Sequence, residues 1–329
     1  MSWLGNAAPR ASGQLAPLTS EQRSNKNLPQ SRMTTIRANG LDFEVECTGR
    51  DTDPAVLLIM GLGMQLTAWP DAMIATLRDY GLRVIRFDNR DSGLSSKIES
   101  AGRPSMTLLG LRKFLHLPIA SAYSLEDMAA DGVAILDELG VSTAHVVGVS
   151  MGGMIAQIIA ARYPDRVQSL SSIMSSSGAA HLPQAKPAIL RALMARPRDS
   201  RNFDALVNHY VELFKLIGSP GYPTSPEVSR AHLAVSLKRS YYPVGTARQM
   251  AAIVASGDRT AYLQQIRCPA LVIHGTSDPL LPLEAGRDTS RKIAGSKLLL
   301  VPGMGHDLAP DLVPILCAAL RDYVAPNAR

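Results

Sequence analysis

Three residues far apart in the chain carry the chemistry of one nucleophilic site: Ser150, Asp278 and His306. A serine hydroxyl is a weak nucleophile until a neighbouring base takes its proton. An imidazole acting as that base needs a carboxylate to fix its tautomer and stabilise the imidazolium. Ser150 lies in Ala144-His145-Val146-Val147-Gly148-Val149-Ser150-Met151-Gly152-Gly153-Met154, where a β-branched run breaks at glycine and leads into the helix-like Ile155-Ala156-Gln157-Ile158-Ile159-Ala160. The pattern reads as strand, tight turn and helix with Ser150 at the apex, and the small Gly148 and Gly152 leave room for the turn. Gly-x-Ser-x-Gly alone is a weak signal, because chance supplies it in roughly one chain in several of this length. A serine in this place could also serve only as the N-cap of the helix.

The other two residues also follow apolar runs. Asp278 belongs to His274-Gly275-Thr276-Ser277-Asp278-Pro279-Leu280, and His306 to Pro302-Gly303-Met304-Gly305-His306-Asp307. Ligands of open parallel sheets bind beyond the carboxyl ends of the strands, so residues just after strands can converge there. The chain order serine, aspartate, histidine is the one expected when the serine sits on a strand-to-helix turn. Two backbone donors are candidates for a developing oxyanion: the Met151 N–H, an unpaired helix-start donor, and the Leu62 N–H within Gly61-Leu62-Gly63. Gly61, Gly63, Met64 and Met304 flank these positions and are candidate substrate contacts. Met64, Met151 and Met304 together suggest an adaptable apolar pocket, although methionine is also an ordinary core residue. Competing acids are Asp307, whose side chain should diverge from the adjacent His306, and Asp88, Asp91 and Asp51. Asp88-Asn89-Arg90 also reads as a polar brace of its loop. His274 reads as hydrogen-bonded support, His145 as structural at the far end of the Ser150 strand, and His116, His181, His209 and His232 have no partner by spacing.

Alternating buried strands and helices position these groups. Thr34–Ala38 and Leu41–Glu46 alternate apolar and polar residues about Asn39-Gly40, a strong hairpin signal. Ala55–Met60 and Arg83–Phe87 read as strands with a helix from about Asp71 to Tyr80 between them. Residues 96–121 show no clear period. Ser124 and Asp127 mark a helix start before Met128–Leu139, and Val167–Met174 is a strand. From Ser175 to about Gln265 the strand rhythm gives way to helix-like segments, broken at Gly218-Ser219-Pro220-Gly221-Tyr222-Pro223. Strands then resume at Ala270–His274 and Lys297–Val301, with a helix near Glu284–Ile293 between them and a closing helix from about Leu312. The rhythm predicts an α/β protein with a doubly wound, mostly parallel sheet. Residues 1–32, rich in Ser, Asn, Gln, Pro and Ala, read as a disordered or extended tail. Met33 opens the patterned part and is a candidate natural start.

Composition bounds the function. With 329 residues, 46% of them hydrophobic, the chain can bury a sizeable core. Eleven Lys/Arg against five Asp/Glu between residues 180 and 265 account for the whole net charge of +6. They form no compact cluster with interleaved aromatics, which argues against a nucleic-acid surface and leaves a bias towards anionic ligands. Cys47, Cys268 and Cys317 are too scattered for a zinc site or a disulfide framework, and no run approaches a membrane span. A cytoplasmic location is the expectation.

The motifs around Ser150, Asp278 and His306, with Asp88-Asn89-Arg90-Asp91-Ser92-Gly93-Leu94-Ser95, resemble the α/β-hydrolase superfamily from about Thr34 onward. Ile59-Met60-Gly61-Leu62-Gly63 and Trp69-Pro70 are similar to its serine-esterase branch, which includes aclacinomycin methylesterase. The resemblance implies an eight-stranded sheet with a helical cap inserted over the serine: a core of 33–174 and 266–329 and a cap of 175–265. Many members carry histidine where this chain has Met60. Related dehalogenases and epoxide hydrolases use an aspartate nucleophile, which Ser150 argues against. The expected activity is carboxylic-ester hydrolysis through an acyl-enzyme, on short-chain acyl or methyl esters, without metal or organic cofactor. Lactone or C–C bond hydrolysis, and a non-catalytic small-molecule receptor on the same scaffold, stand as alternatives. The expected partner is a small-molecule ester rather than nucleic acid, and a homodimer is left open.

Overall fold

A computed structural model describes residues 31–115, 117–197 and 199–325. The chain opens with the antiparallel pair β1 (Arg32–Ala38) and β2 (Leu41–Thr48), joined through Asn39 and Gly40, both at positive φ. Two left-handed residues in a row make the turn whose twist matches the strands it joins. Arg32 already pairs with Cys47, so the patterned part begins one residue before Met33. The predicted tail, Ser31 and Arg32 apart, lies outside the described residues.

The core strands β3 (Ala55–Ile59), β4 (Arg83–Phe87), β5 (Ala144–Val149), β6 (Val167–Ile173), β7 (Ala270–Gly275) and β8 (Lys297–Val301) complete a sheet of order β1-β2-β4-β3-β5-β6-β7-β8. Pairing is antiparallel from β1 through β2 to β4 and parallel thereafter. Side chains alternate between two apolar layers, as strand geometry requires. Val56 and Leu58 face Met73 and Leu77 of α1 (Asp71–Asp79) and Leu316 and Leu320 of α11 (Val313–Val324). Leu57 and Ile59 face the layer formed with α3 (Leu125–Glu138) and α4 (Met151–Arg162). The Ser124–Asp127 capping box opens α3, and α4 is buried on nearly every side.

Between β4 and α3 lies α2 (Met106–Phe114), a helix within residues 96–121 that hydropathy does not announce, because Leu109 is its one buried residue. Between β6 and β7 come α5 (Pro187–Met194), α6 (Phe203–Ile217), α7 (Pro226–Arg239), α8 (Pro243–Ser256) and the short α9 (Thr260–Leu263). The helix α10 (Leu283–Lys292) separates β7 from β8. Among the described residues no helix is long and apolar enough to cross a membrane.

Candidate active site

Ser150 closes β5 and opens α4 with φ 54° and ψ −119°. A non-glycine residue in this region stores about 1–3 kcal/mol of strain and persists only where its surroundings enforce it. Here its N–H donates to Ile173 O (3.0 Å), and its carbonyl accepts from Ser175 Oγ (2.8 Å) and from the N–H groups of Gly153 and Met154. Backbone crowding explains the flanking glycines. A Cβ on Gly148 would lie 2.1 Å from Gly152 O, and one on Gly152 would lie 2.0 Å from Ile59 O. The Ser150 side chain makes no N-cap bond. It points instead at His306, with Oγ 3.0 Å from Nε2.

Past β8, His306 lies 2.7 Å through Nδ1 from Asp278 Oδ2. Its loop is fastened to the end of α6: His306 N–H donates to Ile217 O (2.7 Å), Gly305 N–H to Ser219 Oγ (2.8 Å), and Ser219 Oγ to the Asp307 carboxylate. Asp307 thus bonds Ser219, and Asp278 is the carboxylate bonded to the histidine ring. Asp278, beyond β7, accepts the Leu280 and Leu281 N–H groups on Oδ1 at 2.9 and 2.8 Å. Burial alone would raise its pKa. The charge and hydrogen bond of His306, with the Leu281 N–H and His274, outweigh this and hold the carboxyl below its ordinary value. His274 is fully buried, lies 2.8 Å through Nε2 from Leu281 O, and is pushed down in pKa by burial. It supports the Asp278 turn and stands 3.8 Å from the carboxylate.

The structure brings Gly61 to the same place. A Cβ there would lie 3.2 Å from Ser150 Cβ and 3.8 Å from Ser150 Oγ. Neither the Leu62 nor the Met151 N–H has an acceptor among the described residues. Gly63, at φ 66°, rests against Thr246 of α8, and its N–H donates to Gln249 Oε1 at 2.7 Å. Gly63 and Met64 line a narrow cavity of about 60 Å³, walled by Tyr210, Tyr241 and Tyr242 among others. Met304 does not: it is fully buried in the apolar layer with Val301 and Leu312, because its backbone crosses over Gly275. The Met151 side chain is likewise core, which leaves its N–H as the group near the serine.

The loop after β4 acts as a brace. Asp88 accepts from the Leu66 and Leu94 N–H groups and from Arg239, while Asp91 accepts from Arg248, Tyr123 and the Ile98 N–H. Asp51 pairs with Arg83 near the surface. His145 bonds Ser169 Oγ (2.8 Å), and burial lowers its pKa to about 4. His181 does have a partner, Asp288 at 3.2 Å, which spacing did not reveal. His209 packs edge-on against Tyr210, His232 is exposed, and His116 lies outside the described residues.

Two further polar residues hold the site region, Asn89 as part of the brace expected from sequence and Gln249 unforeseen by it. Asn89 Nδ2 donates to Met60 O (3.0 Å), tying down the chain just before Gly61. Gln249, fully buried on α8, spans Gly63 N–H and Arg90 O, donating to the latter at 2.8 Å. The available signal for Gln249 was one uncharged polar residue ahead of the apolar run Met250-Ala251-Ala252-Ile253.

The family model described as alpha/beta hydrolase fold matches residues 54–311. Rhodomycin D methylesterase of Streptomyces peucetius is 26% identical over 293 residues, covering 84% of this chain and 92% of its own. Among solved structures, the enol-lactonase of Burkholderia xenovorans LB400 aligns with a TM-score of 0.66 at 20% identity, covering 88% of this chain and 99% of its own. The meta-cleavage product hydrolase of Pseudomonas fluorescens IP01 aligns at 0.69 and 19%, covering 88% and 96%. These two likenesses are likenesses of fold.

Proposed function

Because the chain belongs to the α/β-hydrolase fold family, we propose that it is a serine hydrolase that cleaves carboxylic esters through an acyl-enzyme. The observation that carries this reading is the unbroken relay from Ser150 Oγ to His306 Nε2 (3.0 Å) and from His306 Nδ1 to Asp278 Oδ2 (2.7 Å). Ser150 Oγ attacks the ester carbonyl carbon as His306 Nε2 takes its proton. The carbonyl oxygen becomes an oxyanion held by the Leu62 and Met151 N–H groups, each worth roughly 2.7–4 kcal/mol in the transition state. His306 then protonates the departing alkoxide, which leaves as the alcohol. A water, deprotonated by His306, attacks the acyl-enzyme and releases the acid with Ser150 restored. Asp278, held below its ordinary pKa, remains the anion that keeps the Nδ1 proton in place throughout.

Residues 175–265 form the cap in this reading. Its contacts with the 61–65 loop, through Gln249 to Gly63 and Ser236 to Gln65, make it a wall of the substrate site. The methylesterase relative supports methyl esters, and short-chain acyl esters beside them, as substrates. Turnover of a p-nitrophenyl ester series by wild type and Ser150→Ala tests the proposal. Serine-dependent turnover with an optimum at short acyl chains is expected. Equal turnover by Ser150→Ala removes the mechanism, and a folded wild type that turns over no ester removes the esterase reading.

A further inference from the structure

The exterior of α2 is built opposite to an ordinary surface helix. Leu109 is the residue it buries, whereas Leu108, Leu111, Leu115 and Leu117 are each about half exposed and Phe114 is 79% exposed. Leu108, Leu111 and Leu115 follow the i, i+3, i+7 spacing of one helical stripe, so the apolar face looks outward. Exposed large side chains occur singly on most proteins; five within ten residues form a patch that water solvates poorly.

Charge identifies what the patch fits. From residue 100 to residue 125 there is no Asp or Glu, while Arg103, Arg112 and Lys113 lie in or just before the helix. Arg103 and Lys113 are exposed, and Arg112 is partly so. An apolar stripe with cationic side chains at its edges suits an anionic lipid surface: the leucines and phenylalanine enter the headgroup boundary while the long basic side chains reach phosphates. A symmetric pairing of two copies through the same stripe would set basic edge against basic edge. We propose that α2 docks this protein flat onto anionic phospholipid surfaces. The helix packs on α8, whose Gln249 holds the 61–65 loop, so the docking helix and the site region share one neighbouring element.

The test is co-sedimentation of the full chain with vesicles of phosphatidylcholine alone and of phosphatidylcholine mixed with phosphatidylglycerol, at low and high salt. Wild type should bind the mixed vesicles at least tenfold more strongly than the neutral ones, and salt should weaken that binding. The double variant Leu111→Ser, Phe114→Ser should lose at least tenfold of it. Both changes are on exposed positions, so circular dichroism and turnover of a water-soluble ester should match wild type. Arg103→Glu with Lys113→Glu should abolish the preference for anionic lipid while leaving the fold intact. Absence of wild-type binding to mixed vesicles, or equal binding by the serine variant, overturns the proposal. So does a wild-type dimer in solution that the serine variant converts to monomer, which would assign the stripe to a second copy.

Discussion

Replacing Gln249 by Met tests whether α8 sets the position of Leu62, the proposed oxyanion donor. The side chain has similar length and no hydrogen-bonding amide, so it leaves the Gly63 N–H and the Arg90 carbonyl without the partners they have at 2.7 and 2.8 Å. Each orphaned group costs about 1–3 kcal/mol of stability, and the melting temperature should fall. The kinetic ceiling is the loss of one oxyanion donor altogether, roughly 10²–10³-fold in kcat. The loop keeps other tethers: Asn89 to Met60 O, Met64 N–H to Gly61 O, and Ser92 Oγ to Met64 O. Displacement of Leu62 is therefore partial, which sets the expected loss at about tenfold to a hundredfold. KM should change little, because the donor engages the charge that develops after attack rather than the neutral carbonyl. Affinity for a trifluoromethyl ketone, which forms an oxyanion adduct with the serine, should drop in proportion to kcat/KM. A folded Gln249→Met enzyme with kcat within twofold of wild type, or with reduced kcat and unchanged affinity for the ketone, refutes the assignment.

Asp278→Asn should leave the fold intact and lower kcat by about 10⁴-fold, because the amide cannot hold the Nδ1 proton of His306 as the carboxylate does; steady-state kinetics showing a loss under tenfold would exclude Asp278 as the orienting acid. His145 supplies a stability test. Its folded pKa of about 4 lies below the ordinary value of 6.5, so between these values the unfolded chain binds the proton and the folded chain does not. Stability must fall as the pH drops across that window, and thermal melts of His145→Gln should show a shallower fall than wild type. An equal slope in the two proteins would mean that His145 is already protonated in the fold.

The convergence of Ser150, Asp278 and His306 was legible because each lies just past a strand whose end is marked locally by glycine or proline. Once alternating strands imply a parallel sheet, such positions fall along one edge whatever the packing details. Gln249 and Arg239 carry no such mark. Their partners, Gly63 and Asp88, depend on how α8 and α7 rest on that edge, and no local pattern encodes this. Met304 shows the converse error. Its proximity to His306 in sequence suggested a pocket wall, but the turn between Gly303 and Gly305 sends the side chain inward to Val301 and Leu312. The helix α2 escaped for a third reason: hydropathy finds helices by the face they bury, and this one buries a single leucine.

The bonds between the end of α6 and the histidine loop also constrain how chimeras of this fold can be built. Ile217 O, Ser219 and Gly221 bond His306 N–H, Gly305 N–H with Asp307, and Gly303 O in turn, stitching together two segments about 86 residues apart. A cross-over that exchanges the helices between β6 and β7 with those of a relative would import a foreign edge beneath the loop that carries His306. Grafts that carry residues 217–221 together with residues 302–307 preserve the seam. Cuts that separate them keep Ser150, Asp278 and His306 in the chain but leave the histidine's loop with no fixed resting place.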